Sequence, residues 1–333
     1  MPTLDLVAER AGVSRATASR VLSGSPNVSD SARDAVHQAV ADLDYIPNRA
    51  ARSLAKRRSD SVAFVVSESE DRLFSDPFFL ILLRGVHSEV ASRNRQLVFS
   101  LAANDSDRRS LEQFAGGGHI DGVILVSLRG SDTLPMRLEQ HGVPVVLAGR
   151  PFSPDRRLHY VDMDNRGGAR TATELLLERG CRRIATITGP PDMVVAQDRL
   201  AGYRDALHEV GITAPHQLIA NGDFTLTGGH DAMQRLLSVA DDVDGVFAAS
   251  DLMAIGAIQA IEASGRRVPR DVAVIGFDDI PAAQISQPAL TTIRQPIEEM
   301  GRQMARMLLD RLEGRAVTAS WVVPTEVVRR DTA

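Results

Sequence analysis

Along the first forty-five residues apolar side chains recur at three- and four-residue steps, the period of a helix with one buried face. Leu4, Val7, Ala8 and Ala11 predict a short helix over Leu4 to Ala11, stopped at Gly12, which tolerates a left-handed turn. Ser14 is placed to cap a second helix, Val13 and Ala18 flank that cap as an apolar staple, and Val21 with Leu22 continues the stripe to Gly24. Two helices around a one-glycine turn predict a helix-turn-helix. Val28 and Ser29 announce a third helix, whose Ala32, Val36, Ala39, Val40 and Leu43 close a three-helix core.

From Ser61 the pattern changes to short apolar runs alternating with amphipathic stretches. Strands are predicted at Ser61 to Ser67, Gln96 to Leu101, Gly122 to Ser127, Val143 to Ala148, Arg183 to Thr188, Gly245 to Ala249 and Val272 to Phe277. Helical stretches between most of them imply parallel sheets with helices on both faces. Two such series predict two similar lobes, about 61–161 with 293–325 and about 162–290 with 326–333. Chain crossings fall near Asp162, Thr291 and a last strand about Glu326, and a helix over Pro296 to Leu312 returns to the first lobe.

Between the two patterns, Pro47 stops the third helix and Asn48 can cap another that runs from Arg49 to Lys56. Isolated helices below roughly 12 to 15 residues are marginal in water, so this one orders only when something packs against it. Leu54, apolar amid basic residues, has the character of a minor-groove wedge. The segments predicted are thus a head over 1–46, a hinge helix and linker over 47–60, and a two-lobed body over 61–333.

Charge sharpens this division. The net charge is -5, yet residues 1–58 carry nine Lys or Arg against six Asp or Glu, which puts +3 on the head and hinge and -8 on the rest. A basic head on an acidic body fits a DNA-binding module joined to something else. No apolar run reaches the eighteen or so residues of a membrane span, and Asp5 and Glu9 stand where a signal peptide needs a greasy stretch. These features predict a cytoplasmic protein. The single Cys181 has no cysteine partner and reads as an inert thiol, and the eight histidines do not cluster, so no metal or cofactor is predicted.

The outward side chains of the second helix are the candidate base readers: Arg15, Ala16, Thr17, Ser19 and Arg20. Near the start of that helix, Arg15 can give a bidentate pair to guanine, worth about 1 to 3 kcal/mol of discrimination. Ser19, Arg20 and Asn27 suit phosphate contacts that set register. In the body, residues just beyond the strand ends are the place to look for ligand contacts. There stand Phe74, Asp76, Phe78, Phe79, Arg150, Asp164, Phe224, Asp251, Asp278 and Asp279, with Arg199 on the helix after Gly189 and Pro190. Carboxylates and arginines bond adjacent hydroxyls and aromatic faces cover the apolar side of a ring, a combination that suits a sugar.

The run T-L-x-x-V-A-x-x-A-G-V-S-x-x-T-x-S-R-V-L, then N-V-S, then Y-I-P-N-R-A-A-R-S-L resembles the head and hinge of the lactose-repressor/galactose-repressor (LacI/GalR) family. R-L-A-G-Y (199–203), A-A-S-D-L-M-A-I-G-A (248–257), V-P-R-D-V-A-V-I-G-F-D-D (268–279) and L-T-T-I-R-Q-P (290–296) resemble its effector domain, so the likeness covers almost the whole chain. It implies an α/β architecture with a helix-turn-helix head, a hinge helix and two doubly wound lobes like a periplasmic sugar-binding protein. In the head and hinge it adds Thr3, Ser14, Tyr45, Asn48, Arg49, Arg52 and Leu54 as DNA contacts, with Leu54 entering the minor groove. By position it makes Arg199, Asp251 and Asp278 effector contacts with Phe224 as a stacking ring, and Gln295 falls in the same set. The stretch S-E-S-E-D-R-L-F-S-D-P-F-F, with G-R-P at 149–151 and G-P-P-D-M at 189–193, is most similar to actinobacterial repressors of cellobiose and related glucoside use.

The function implied is a repressor that binds a palindromic operator as a homodimer and is released by a small sugar, a glucoside or a disaccharide such as cellobiose. No leucine heptads follow Trp321, so a dimer without a coiled-coil tetramer tail is expected. Two other classes stay open at this point. A transport receptor needs only the body, though it also needs export. An enzyme is the other: Asp278 and Asp279 are a carboxylate pair of the kind glycoside hydrolysis uses, although no G-x-S-x-G elbow or phosphate-binding glycine fingerprint is present.

Overall fold

The computed structural model describes residues 2–22, 24–25, 27–45, 59–130, 132–153, 155 and 157–333. Of the predicted contacts, Asn48, Arg49, Arg52 and Leu54 lie outside these. The chain divides into two compact units, Met1–Asp60 and Ser61–Ala333.

In the first unit, α1 (Leu4–Arg10), α2 (Arg15–Leu22) and α3 (Asp30–Asp42) bury Val7, Ala8, Ala18, Val21, Val36 and Ala39 in one core. A hydroxyl begins each helix. Thr3 Oγ1 accepts from the Leu6 N–H, Ser14 Oγ from Thr17 and Ser29 Oγ from Ala32, each cap worth about 1 kcal/mol. Gly12 takes a φ of 64° in the turn. Arg10 pairs with Asp42 at 3.1 Å and joins α1 to the end of α3.

The second unit opens with β1 (Ser61–Val66), α4 (Glu70–Ser75), α5 (Pro77–Ser92), β2 (Gln96–Leu101), α6 (Asp105–Gly116), β3 (Gly122–Val126), α7 (Leu134–Gln140), β4 (Val145–Ala148) and β5 (His159–Met163). It continues through α8 (Asn165–Glu178), β6 (Ile184–Thr188), α9 (Val194–Glu209), β7 (Ile219–Asn221), α10 (Leu226–Val239), β8 (Gly245–Ala248), α11 (Asp251–Ala263), β9 (Ala273–Asp278), α12 (Pro281–Ile285) and β10 (Thr291–Arg294). Last come α13 (Ile297–Leu312), β11 (Ser320–Val323) and β12 (Glu326–Val328).

These strands form two sheets, ordered β11-β5-β4-β3-β1-β2 and β12-β10-β9-β8-β6-β7. Every pairing is parallel except that of β10 with β12. The chain passes between sheets after Met163, after Arg294 and after Val323. The first two crossings fall one and three residues later than the sequence pattern places them, because β5 and β10 complete their sheets first, and the third falls just ahead of the predicted last strand about Glu326.

The strands that the apolar pattern misses carry polar side chains with internal partners. In β10, Thr292 donates to Asp251, and the Thr291 hydroxyl accepts from the Arg330 N–H. Such threonines are fully buried yet read as loop. β4 is shorter than predicted, since Pro144 has no N–H to give a ladder.

The returning helix α13 packs along α5 with backbones in near contact. A Cβ on Gly85 would stand 2.0 Å from the Glu298 carbonyl oxygen, and one on Gly301 would stand 2.3 Å from that of Leu82. Arg93, which caps the end of α5, reaches Asp310 in α13 at 2.7 Å across the same seam. Replacing Gly85 by Ala gains about 1 kcal/mol of helix propensity, but the helices must then separate, which costs about 1 to 3 kcal/mol or more. Overpacking wins, so Gly85→Ala lowers the urea midpoint of the body at unchanged slope.

Candidate functional site

In doubly wound sheets ligands bind beyond the carboxyl ends of strands where the winding reverses. Here those points lie between β1 and β3 in one lobe and between β6 and β8 in the other. A cavity of about 400 Å³ lies where these strand ends meet. Its wall takes Asp76, Phe78 and Phe79 after β1, Ser127 to Gly130 after β3, Met193 and Arg199 after β6, and Ser250 after β8.

Arg199 is the centre of its polar end. The residue is 4% exposed, and its guanidinium donates to Asn165 Oδ1 at 2.9 Å and to the Ala249 carbonyl. It lies 3.4 Å from Asp278 Oδ1 and 3.8 Å over the Phe277 ring centroid. Gln295 donates to the same Asp278 oxygen. Burial lowers the pKa of Arg199, and the carboxylates of Asp278, Asp162 and Asp251 oppose that shift. Burial pushes the Asp278 carboxyl up to about 7; Arg199 works against the rise and Asp76 adds to it. Asp76 and Asp162 are also raised, each chiefly by burial.

A second polar group reaches the cavity through Arg72. Its guanidinium pairs with Glu68 at 2.9 Å and stands 5.0 Å over Phe224 and 5.7 Å over Phe79. The Arg72 Nε is buried without a hydrogen-bond partner. Phe224 holds a φ of 66° and Asp278 one of 117°, backbone strain of the sort that collects at binding sites.

Seven of the eight other predicted effector residues are accounted for as follows. Asp76, Phe78, Phe79, Arg150 and Phe224 line the cavity with Arg199, Asp278 and Gln295. Phe74 does not: it is 73% exposed on α4, off the cavity wall. Asp164 also stands off the wall and caps α8 by accepting from Gly167 N–H at 2.9 Å. The eighth, Asp251, is buried behind the wall. Its oxygens accept from Thr292 Oγ1 and from the Ile280 N–H, so it fixes the turn after β9 and touches no cavity surface. In all three cases an aspartate or aromatic beyond a strand end serves the backbone or solvent, a distinction that strand position alone does not make. Asp279 is likewise taken up by Arg294 at 2.7 Å and Arg330 at 2.6 Å, so it forms no catalytic pair with Asp278.

Sequence reasoning passed over Arg72, Asp162, Asn165, Met193 and Phe152, all on the cavity wall. Asp162 and Asn165 flank a chain crossing, which was their only legible signal.

In the head, α2 turns Ala18 and Val21 inward and exposes Arg15, Ala16, Ser19 and Arg20. Thr17 shares a hydrogen bond of 2.9 Å with Ser14. Arg15 pairs with Asp5 at 3.4 Å, both well exposed, a contact cheap enough to exchange for another anion. Asn27 is exposed, whereas Tyr45 packs partly against the head core.

A three-helix head with an open second helix, attached to a two-lobed ligand-binding body, defines a ligand-responsive DNA-binding regulator. Residues 3–48 match the bacterial regulatory proteins of the lacI family, and residues 173–333 match the periplasmic binding protein-like domain. The chain is 49% identical to the HTH-type transcriptional regulator CelR of Thermobifida fusca over 94% of its own length and 92% of the relative's. It is 34% identical to the HTH-type transcriptional repressor CytR of Escherichia coli (strain K12), covering 98% and 95%. Among solved structures, a transcriptional regulator CelR–cellobiose complex aligns with a TM-score of 0.81 at 45% identity over 100% of both chains. The lac repressor dimer bound to operator and the anti-inducer ONPF aligns at 0.85 and 28% identity over 99% and 98%. The chain belongs to the lacI family of bacterial regulatory proteins. It is a transcriptional regulator, and its relatives set aside both the transport receptor and the enzyme.

The raised Asp278 carboxyl has a measurable consequence. The native group keeps its proton to a higher pH than the unfolded one, so its contribution to stability is full below the unfolded pKa near 3.9 and is lost as pH rises through about 7. Between about pH 5 and about pH 7 Asp278 contributes a fall in unfolding free energy of up to about 1.4 kcal/mol per pH unit, and Asp278→Asn removes that part of the slope. Calorimetric melts across that range check it.

Proposed function

We propose that this protein is a repressor that binds a palindromic operator as a homodimer in the cytoplasm and is released when a β-glucoside disaccharide such as cellobiose fills the cavity between its lobes. The observation that carries this reading is the buried cluster of Arg199, Asp278, Asn165 and Gln295 facing an aromatic wall of Phe78, Phe79 and Phe224. Charged donors and acceptors in fixed positions select a polyhydroxylated ring, and aromatic faces cover its C–H side. The CelR–cellobiose complex supports the choice of sugar.

In the head, Arg15, Ala16 and Thr17 read base edges, while Thr3, Ser14, Ser19, Arg20, Asn27 and Tyr45 hold phosphates. In the hinge, Asn48, Arg49 and Arg52 flank Leu54, which wedges a base step. The partner copy is supported by an apolar patch on the first lobe, where Leu80 and Phe99 are exposed beside a shallow depression lined by Leu83, His87 and Leu97. Sugar and operator are coupled reciprocally, because each favours one of two arrangements of the dimer.

In a gel shift with palindromic operator, cellobiose releases the wild-type protein; if no palindrome is bound better than random DNA, the reading fails. Arg199→Ala leaves Asp278 buried without its counter-charge, a loss of about 3 to 5 kcal/mol at the site. That variant binds operator but no longer responds to cellobiose. Leu54→Ala has the opposite signature, weaker operator binding with unchanged affinity for sugar by calorimetry.

A further inference from the structure

The polar cluster occupies only one end of the cavity. Asp278, Arg199, Asp76 and Gln295 are each less than a tenth exposed, whereas the wall continues along the loops after β3 and β4 to Met136, Phe152 and Leu158. Phe152 is 49% exposed although it lines the cavity. Its ring rests on Gly130. A Cβ there would stand 3.0 Å from Cδ2, 3.2 Å from Cε2 and 3.2 Å from Cγ, near-equal distances that put the glycine over the face of the ring and not beyond its edge. One aromatic face is thus seated on backbone, while about half of the residue's surface stays exposed on the cavity wall.

Gly130 is at the same time a point of closure between the lobes. Its N–H donates to the Asp192 carbonyl at 2.8 Å, and its neighbour Arg129 pairs with the Asp192 carboxylate at 3.0 Å. Arg150, two residues before the ring, pairs with Asp198 at 2.7 Å. The loop that carries Phe152 and the loop that seats it are therefore each tied to the opposite lobe.

We propose that Phe152 is the platform of a second subsite, which takes the outer ring of a disaccharide while the Arg199 and Asp278 end takes the inner one. This inference rests on the sugar reading above and deepens it. The exposed side of the ring stacks on the C–H side of the outer sugar ring, and Gly130 supports it from behind, since a Cβ there would crowd the ring at 3.0 to 3.2 Å. Discrimination between a disaccharide and its monosaccharide follows from Phe152, not from the buried charges that both ligands meet.

The experiment is calorimetric titration of the full-length protein with cellobiose and with glucose. Phe152→Ala weakens cellobiose about tenfold, the value of one stacked ring, and narrows the preference for cellobiose over glucose by the same factor. Phe152→Trp, which keeps a flat face, restores cellobiose binding to within about twofold. Gly130→Val, which pushes the ring from its seat, shifts the preference in the same direction as Phe152→Ala. Cellobiose affinity unchanged in Phe152→Ala, or weakened equally for both sugars, overturns the second subsite while leaving the sugar reading intact. A wild-type protein that binds neither sugar overturns both.

Discussion

The body is organised around one buried cation. Arg199 sits among the ends of β6, β8 and β9 with almost no solvent, and a bare guanidinium there costs several kcal/mol. The site offsets that cost with Asn165, the Ala249 carbonyl, Asp278 and the face of Phe277. The partners come from three places in the chain, with Asp278 and Phe277 both in β9, so satisfying the charge fixes the crossing after β5, the end of β8 and the end of β9 relative to one another. Asp251 extends the same constraint behind the wall by holding Ile280 and Thr292. The polar end of the cavity is thereby built before any ligand arrives, which is the condition for binding without a large ordering cost.

A second consequence is that the pairs reaching across the cleft differ in kind from the buried cluster. Arg129 with Asp192 and Arg150 with Asp198 are partly exposed, and such pairs contribute on the order of 1 kcal/mol or less. Pairs of this strength hold the two lobes together only lightly, unlike the buried cluster. A regulator needs so light a hold, because a ligand shifts an equilibrium only by its difference in affinity between two states.

Much of this was legible in the chain, for reasons that separate cleanly by residue. The head was readable because its signals are local: Ser14, Gly12 and the spacing of Val7, Ala8, Ala18 and Val21 state caps, turn and core in one short stretch. The lobes were readable from continuous apolar strands. β5, β7, β10 and β11 were not, since His159, Asn221, Thr292 and Ser320 are polar and their burial or edge position depends on partners distant in sequence. The same limit applies to the site. Arg199 and Asp278 carry a family likeness, but Phe74, Asp164 and Asp251 show that a residue beyond a strand end can as easily serve solvent, a helix cap or a turn. Arg72 and Phe152 gave no periodic signal, and only the folded chain shows that they share a cavity.

The return of α13 and β11 to the first lobe bears on how the protein is made. The first sheet lacks its edge strand until residues 320–323 exist, and α5 lacks the helix against which Gly85 is fitted until residue 301 has been added. The second sheet waits for β12, a few residues later. During synthesis the described core of the three head helices is complete by residue 45, while the body still lacks strands of both sheets until residue 328 has been added. A nascent chain therefore passes through a stage at which it can fold a DNA reader but has no finished sensor to govern it.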